Sequence, residues 1–159
     1  MSTPIKGKRF RYQLDTLLRV REIREQQEHD KYTEAIKKFE EEKQKEEILK
    51  QQQAACYQEL SEMMSAGEVP DMNLIQLRKR HLEVLTEKVD EQKKVVEEAD
   101  KAKEAQREKL NQAIKERKII EKDKEKTRVA WKKLMDKEEM KFLDDIAGIG
   151  QLKKKREND

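Results

Sequence analysis

Residues that break helices are scarce in this chain. It has four glycines and two prolines among 159 residues, and residues 8–66 and 71–147 contain neither. Gly and Pro interrupt helices most strongly, whereas both stretches are rich in Glu, Lys, Gln, Arg, Leu and Ala, which favour helices. The sequence therefore predicts two very long helices and one tip between them, at the GEVP of residues 67–70.

Apolar and aromatic residues are also scarce. Hydrophobic residues make up 34% of the chain and charged residues 46%, and only three Phe, three Tyr and one Trp are present. Such a chain has too little apolar surface for a globular core, since burial stabilises by about 25 cal/mol per Å². Its richness in Ala, Glu, Lys, Leu and Arg is typical of long helices and coiled coils.

Cysteine and long hydrophobic runs are nearly absent. The single Cys56 excludes an internal disulfide and is consistent with a reducing cytoplasm. No apolar run approaches the roughly 20 residues that a membrane span requires. No hydrophobic stretch follows the positive charges near the N-terminus, as a secretory signal would need. These features predict a cytoplasmic protein without membrane insertion.

Residue patterns that carry catalytic or metal chemistry are missing as well. His29 and His81 lie far apart in the sequence, so no His/Cys cluster has metal-ligand spacing. Asp144 and Asp145 are adjacent and would point about 100° apart on a helix, so they cannot act as an acid–base pair. The GIG of residues 148–150 lacks the Gly-Lys-Ser/Thr ending of a phosphate loop. The sequence predicts no catalytic, metal or cofactor site, and hence no enzyme.

Charge of one sign is not in excess, because the net charge is only +3. That balance disfavours nucleic acid as a partner, and acidic residues interrupt the lysines of residues 122–133. Both ends of the chain are nevertheless basic and would suit an acidic partner or a membrane surface, with plain solvation as the alternative. The basic residues are Lys6, Lys8, Arg9 and Arg11 at one end and Lys153, Lys154, Lys155 and Arg156 at the other.

The short connection at the tip predicts that the two helices pair antiparallel. The predicted N-cap of helix 2 is Asp71 or Asn73, the latter in a capping box with Gln76, and Gly148 is the predicted residue after its end. The fold prediction is an all-α antiparallel coiled-coil hairpin whose second helix is longer. Its segments are a basic N-terminal segment at 1–13, for which a helical and a non-helical conformation are both open, helix 1 at 14–66, the tip at 67–71, helix 2 at 72–147 and a basic flexible tail at 148–159.

Each helix carries an apolar stripe, or seam, with a spacing of alternately three and four residues, and charged residues interrupt both seams. The predicted facing positions are Leu60 with Leu77, Phe39 with residues 96–99, and Leu18 with residues 119–120. The predicted seam of helix 1 is Leu14, Leu18, Arg21, Glu25, Glu28, Tyr32, Ala35, Phe39, Glu42, Glu46, Leu49, Gln53, Cys56, Leu60 and Met63. That of helix 2 is Ile75, Leu82, Leu85, Val89, Val96, Ala99, Leu110, Ala113, Ile120, Trp131 and Leu134, with Lys103, Arg117 and Lys124 as polar interruptions.

Two apolar patches are candidate binding sites. Residues 124–147 have no facing partner in helix 1 unless residues 1–13 are also helical, and an unpaired apolar face usually marks a binding site. Trp131 is the best single candidate, because Trp is enriched at the centres of interfaces; the alternative is that Phe10 and Tyr12 cover part of this face. The second patch, at the start of helix 2, consists of Leu74, Ile75, Leu77, Leu82 and Leu85 around His81, with a core near the tip as its alternative.

Both ends of the chain resemble the FliJ family of flagellar export proteins. The amino-terminal resemblance is an aromatic-basic-aromatic step followed by leucines and an Arg-x-Arg. The carboxyl-terminal resemblance covers residues 116–147 and closes in Glu-x-Lys-x-Leu-Asp-Asp-Ile-Ala. The residues that carry the amino-terminal part are Phe10, Arg11, Tyr12, Leu14, Leu17, Leu18, Arg19 and Arg21.

The resemblance implies a stalk similar to the central γ subunit of rotary ATPases, at the cytoplasmic face of the inner membrane at the flagellar base. Its paired ends would enter the central hole of the hexameric export ATPase (FliI) and favour ring assembly and activity. The start of helix 2 would contact the export gate protein FlhA through Leu77, His81 and Leu85, and other faces would contact export chaperones. The ATPase-binding candidates are Phe10, Arg11, Leu14, Leu18, Arg21, Trp131, Leu134, Met135, Phe142, Leu143 and Ile146.

Three other functions remain open at this point: the equivalent stalk of a virulence type III secretion system, a self-associating cytoskeletal or scaffold coiled coil, and a nucleic-acid-binding helix. The FRYQLDTLL of residues 10–18 favours the flagellar branch, and the polar interruptions of the seams disfavour a long, stable homodimer. Because charge interrupts the seams, the helix pair is predicted to be marginal and to become well ordered when a partner holds its ends.

Overall fold

The structure, a computed structural model, describes residues 8–67, 69 and 71–159. It contains two helices, α1 (Asp15–Ser65) and α2 (Met72–Glu157), and the described part of the chain has no strand. The prediction of an all-α hairpin with a longer second helix is confirmed. Lys6 and part of the predicted tip, Glu68 and Pro70, lie outside the described residues.

Helix α1 begins after a turn. The N–H of Asp15 donates to the carbonyl of Tyr12 at 3.2 Å, and the Asp15 carboxylate favours the positive end of the helix dipole. Residues 8–12 are not helical. At the other end the N–H of Ala66 donates to Glu62 at 3.0 Å, and Gly67 follows. Helix α1 therefore begins and ends close to the predicted positions.

Asp71 caps α2. Its carboxylate accepts a hydrogen bond from the N–H of Asn73 at 3.0 Å, and its carbonyl accepts one from Ile75 at 3.1 Å. This is the arrangement in which a capping side chain satisfies a free N–H of the first turn. Of the two predicted caps, Asp71 is confirmed. The capping box of Asn73 with Gln76 is wrong, because Asn73 already lies inside the first turn.

Helix α2 ends later than predicted. It continues through Gly148 and Gly150 to Glu157, ten residues beyond Ala147. Neither glycine has the positive φ that would end the helix there. Each costs about 1 kcal/mol relative to Ala, but three cations in the last turn (Lys154, Lys155 and Arg156) favour the negative end of the helix dipole. Residues 148–157 of the basic tail are therefore helical and belong to α2.

The chain divides into a hairpin unit, Gln26–Gln112, and a terminal unit made of Met1–Glu25 and Ala113–Asp159. In the hairpin unit the two helices pack antiparallel through the predicted seams. Each α1 seam residue from Glu28 to Met63 is buried or half-buried. The buried apolar side chains of this unit are Cys56, Leu60, Ile75, Leu85, Val89, Ala99 and Leu110.

Polar seam residues of the hairpin unit are paired across the helices. The side-chain amide of Gln92 donates to the carbonyl of Glu42 at 2.9 Å and to its carboxylate at 2.7 Å. Fourteen residues further along α2, the side-chain amide of Gln106 likewise donates to the carbonyl and the carboxylate of Glu28. The ammonium of Lys103 lies 4.2 Å from the ring centre of Phe39. These contacts explain how polar residues occupy a seam without being left unsatisfied.

One predicted facing pair of the hairpin unit is wrong. Leu77 is 62% exposed, whereas Leu60 is buried. The α2 residue on the seam near this position is Arg78, whose carbonyl accepts a weak hydrogen bond from the Cys56 thiol at 3.7 Å. Arg78 lies between Ile75 and Leu82 of the predicted seam, so the error is in the residue predicted to face Leu60 and not in the seam of α2.

In the terminal unit, α1 and α2 are held together by reciprocal ion pairs. Arg21 of α1 pairs with Glu116 of α2 at 2.6 Å, and Glu25 of α1 pairs with Arg117 of α2. Arg117 also pairs with Glu121 at 2.6 Å, so the two carboxylates raise the pKa of its guanidinium. Leu18 and Ala113 are buried beside these pairs. Ile120 is half-buried as predicted, whereas Ile119 is 65% exposed.

Candidate interaction site

The N-terminal segment packs against α2 in the terminal unit. The ring of Phe10 lies 5.7 Å from that of Trp131, with an angle of 50° between their planes. The Tyr12 hydroxyl donates to the Asp123 carboxylate, and Lys124 donates to Asp15 at 2.8 Å. This agrees with the alternative that aromatic residues of the N-terminal segment cover part of the apolar face.

These contacts shift two ionisation equilibria. The hydrogen bond to Asp123, with burial and the charges of Asp123 and Asp15, raises the pKa of Tyr12 to about 12. The hydrogen bond from Lys124 lowers the pKa of the Asp15 carboxyl. The hydroxyl therefore stays protonated and the carboxylate stays charged at neutral pH, so both contacts persist there.

Beyond Trp131, the apolar face of α2 is largely open. Met135 and Phe142 are half-buried, and Leu134, Leu143 and Ile146 are half exposed or more. Leu134 was predicted to lie on the seam, but it is 54% exposed and Met135 takes the half-buried position instead. Partly exposed apolar side chains grouped in this way on one helix are suited to contact with another molecule.

The other ATPase-binding candidates fall into two groups. Arg11 and Leu14 are exposed and remain available to a partner. Leu18 is buried and Arg21 is bonded to Glu116, so both hold the helix pair together. The Nε atom of Arg21 is buried without a hydrogen-bond partner in the described part of the chain.

The gate-binding candidates in the hairpin unit are also divided. Leu77 and His81 lie on the surface, whereas Leu85 is 3% exposed and belongs to the core. Leu85 can therefore support a contact surface but cannot form one. Arg78 pairs with Glu59 at 2.9 Å beside His81. The residues that line the open groove at this place are Gln52, Ala55, Cys56, Glu59, Arg78 and His81.

Sequence reasoning missed the apolar residues beyond Ile146. Ile149 and Leu152 are both exposed on the continued helix α2. Their spacing from Phe142 and Ile146 follows the same helical period, which could have indicated a longer helix despite Gly148 and Gly150. The described residues contain no cluster of His, Cys, Asp and Glu that could hold a metal ion. Neither described helix has a stretch long and apolar enough to span a membrane.

A family model described as flagellar FliJ protein matches residues 10–156, which is nearly the whole chain. The chain belongs to the FliJ family. Both segments that carry the sequence resemblance, residues 10–21 and 116–147, lie within this match. No curated protein and no solved structure gives a match.

Membership of the FliJ family makes this protein a component of flagellar type III protein export, in a family without catalytic activity. The matched region includes the Phe10–Trp131 contact and the partly exposed residues from Leu134 to Ile146. It also includes the Leu77 and His81 surface of the hairpin unit. The family match therefore connects residues 10–156 with flagellar protein export.

Proposed function

We propose that this FliJ-family protein is the stalk of the flagellar export ATPase. In this proposal the terminal unit binds the hexameric ATPase and promotes its assembly and activity, and the start of α2 links it to the export gate. The protein acts without catalysis of its own, peripherally at the cytoplasmic face of the inner membrane. The observation that carries the proposal is the FliJ match over residues 10–156.

The surface of the terminal unit is chemically suited to this role. Leu134, Leu143 and Ile146 leave half or more of their side chains exposed. Trp131 lies about one turn before Leu134 and is half-buried under Phe10, in the kind of surrounded position where interface hot spots occur. Arg11 adds an exposed cation on the segment that carries Phe10. Apolar centres with a charged rim are typical of specific protein interfaces.

The proposed gate contact uses the exposed residues of the second patch. Leu77 and His81 are accessible in the hairpin unit, and Leu85 packs beneath them as part of the helix pair. Export chaperones are a further proposed class of partner for exposed helix faces. These contacts are independent of the ATPase contact, since they involve a different unit of the chain.

The ATPase rate of the cognate export ATPase, measured with and without this protein, tests the proposal. We expect the wild type to stimulate the rate. Two variants should lose most of the stimulation: Leu143→Ala/Ile146→Ala, which truncates exposed side chains, and Trp131→Ala/Phe142→Ala, which removes the aromatic part of the face. A matched control is Ile48→Ala/Val95→Ala, which truncates similarly exposed side chains in the hairpin unit and should stimulate as the wild type does.

Helix content measured by circular dichroism separates loss of binding from loss of fold. Leu143→Ala/Ile146→Ala removes little buried surface, so its helix content should equal that of the wild type. No stimulation and no binding by the wild-type protein at moderate salt would contradict the stalk function. In that case concentration-dependent sedimentation would test the scaffold alternative.

A further inference from the structure

The side of α2 that points away from α1 carries opposite charges in the two units. The seam of α2 repeats every seven residues from Leu82 to Trp131, so the residues one, two and five places after each of these positions point away from α1. All such residues between positions 83 and 133 are exposed. Together they form the outward face of α2.

In the hairpin unit the outward face is acidic. Between residues 83 and 112 it carries eight carboxylates and two lysines, which is a net charge of −6. Glu91 and Glu98 lie at the centre of this acidic patch, and neither has an ion-pair partner among the described residues. Glu87 and Glu91 are four residues apart, a spacing at which like charges destabilise a helix. A basic surface packed on the acidic patch would relieve this repulsion.

In the terminal unit the outward face is basic. Between residues 115 and 133 it carries six lysines and one glutamate, which is a net charge of +5. That glutamate, Glu125, is paired with Arg128 at 2.8 Å, whereas none of the six lysines has an ion-pair partner in the part of the chain that the structure describes. The lysine patch consists of Lys115, Lys118, Lys122, Lys126, Lys132 and Lys133.

The order of residues along the outward face is complementary to itself. Every seventh residue on one side of this face belongs to a line that is centred on Gln112 and has matching residues at equal distances before and after it. The matching pairs are Ala105 with Ile119, Glu98 with Lys126, and Glu91 with Lys133. Antiparallel pairing of two such lines places each glutamate opposite a lysine and covers Ile119, which is 65% exposed.

We propose that two copies of this chain associate antiparallel through the outward face of α2, with the acidic patch of each copy on the lysine patch of the other. In such a twofold pair every contact is made twice. Exposed ion pairs contribute little individually, so the dimer is weak and dissociates when salt screens the charges. This inference does not depend on the proposed function, since the outward face contains none of the ATPase-binding or gate-binding candidates.

The acidic patch favours a second copy over nucleic acid as the partner of the lysine patch. Nucleic acid is attracted to lysines but repelled by carboxylates on the same helix face. A second copy offers both patches an opposite charge. One pair of like charges remains in the dimer, because Lys101 and Lys122 lie at nearly equal distances from Gln112 and approach each other. This pair provides a substitution that should strengthen the association.

Sedimentation equilibrium of the full chain, without the export ATPase, tests this proposal. We expect monomers and dimers in equilibrium at about 20 mM salt and monomers at about 0.5 M salt. Glu98→Lys and Lys126→Glu should each raise the dissociation constant about tenfold or more, because each replaces two attractions by two repulsions. The double variant Glu98→Lys/Lys126→Glu should return to within about threefold of the wild type. Lys122→Glu should lower the dissociation constant, since it faces Lys101, and misfolding cannot produce such a gain.

Matched control variants reverse charges at exposed positions of α1. Glu34→Lys and Lys37→Glu change the net charge by the same amounts as the two test variants and should leave the dissociation constant nearly unchanged. Glu and Lys both favour helices, so none of these changes breaks a helix. Equal weakening by the test and control variants, or no recovery in the double variant, would overturn the proposal.

Chemical cross-linking tests the antiparallel arrangement. Cys56 is the only cysteine, so Gln112→Cys in a Cys56→Ala background places a single thiol near the twofold axis. We expect a short bis-maleimide reagent at low salt to link two copies of this variant. It should not link copies of Gln44→Cys in the same background, which places an exposed thiol on α1. A monomeric wild type at low salt, or equal cross-linking of the two variants, would overturn the proposal.

Discussion

The hydroxyl of Tyr12 shows how one residue anchors the N-terminal segment. Residues 8–12 make no helix, so side-chain contacts fix their position on α2. Tyr12 is buried and its hydroxyl donates to Asp123, while the neighbouring Phe10 packs on Trp131. A protonated phenol is required for this hydrogen bond, because a phenolate cannot donate to a carboxylate.

Tyr12 should ionise only at strongly alkaline pH. Its pKa is raised from 10.0 to about 12, first by the hydrogen bond to Asp123. Ultraviolet difference titration of the wild type against Tyr12→Phe isolates this residue from the other tyrosines. In Asp123→Asn the pKa of Tyr12 should fall towards 10.0, because the charge of the acceptor is gone.

The same shift makes the stability of the terminal unit depend on pH. The pKa in the folded protein lies above that of the unfolded chain, so the stabilising contribution is fully present below pH 10.0 and is lost as the pH rises through about 12. Tyr12→Phe should lack this alkaline loss. Ionisation of Tyr12 in the folded wild type near pH 10.0 would contradict the hydrogen bond to Asp123.

At the scale of the helices, the residue at which α2 ends decides the backbone conformation of Gly148. If Gly148 were the residue after the helix, it would adopt a left-handed conformation that disfavours Ala. In the structure Gly148 and Gly150 are helical, and a methyl group at either position meets no atom within 4 Å. A Gly-to-Ala change should therefore destabilise the first arrangement and stabilise the second.

Gly148→Ala/Gly150→Ala should stabilise the end of α2. Alanine is more favourable than glycine in a helix by about 0.8–1.0 kcal/mol per residue. We expect slower hydrogen exchange of the amides of residues 148–157 and an equal or higher helix content by circular dichroism. Gly67→Ala is the control, because Gly67 lies outside both helices and should leave these amides unchanged. Faster exchange in the double variant would mean that α2 ends near Ala147.

The two helices and most of their seams could be predicted from the sequence, because the seam spacing is a local property of the chain. The prediction placed Glu28 and Glu42 on the α1 seam, and both lie there. It could not identify Gln106 and Gln92 as their partners, since that depends on the register between the helices. The seam at Met135 rather than Leu134 was also missed, because either residue fits the spacing.

The candidate site was harder to predict than the fold. Trp131 was identified from its residue type and Phe10 from the amino-terminal resemblance and the alternative that it covers the apolar face; the structure brings them together. The remaining candidates differ in whether their side chains are buried or exposed. Leu18 and Leu85 are buried in the cores of their units, although their residue type suits a contact surface equally well. A leucine on a helix can face either the partner helix or solvent, and only the packed structure decides between them.

At the scale of the whole molecule, little apolar surface stabilises a long chain. Among the described residues ten apolar side chains are buried, and none is fully buried. Polar pairs such as Gln92 with Glu42 satisfy the interrupted seams but add little net stability, since folding exchanges their hydrogen bonds with water for hydrogen bonds with each other. The free chain should therefore have low stability.

We expect circular dichroism to show that the free protein unfolds on heating in a broad transition at low temperature. The export ATPase should raise the midpoint temperature, because it binds the folded terminal unit. Free ATPase at a hundred times the dissociation constant raises the free energy of unfolding by about 2.7 kcal/mol, which shifts the midpoint by roughly 5–10 °C for a chain of this size. Leu143→Ala/Ile146→Ala should have the midpoint of the wild type when free and show no increase with the ATPase, because its truncated side chains are half exposed and contribute to binding more than to folding. A free monomer that unfolds cooperatively at high temperature would contradict this account, since its helices would then need no partner to remain ordered.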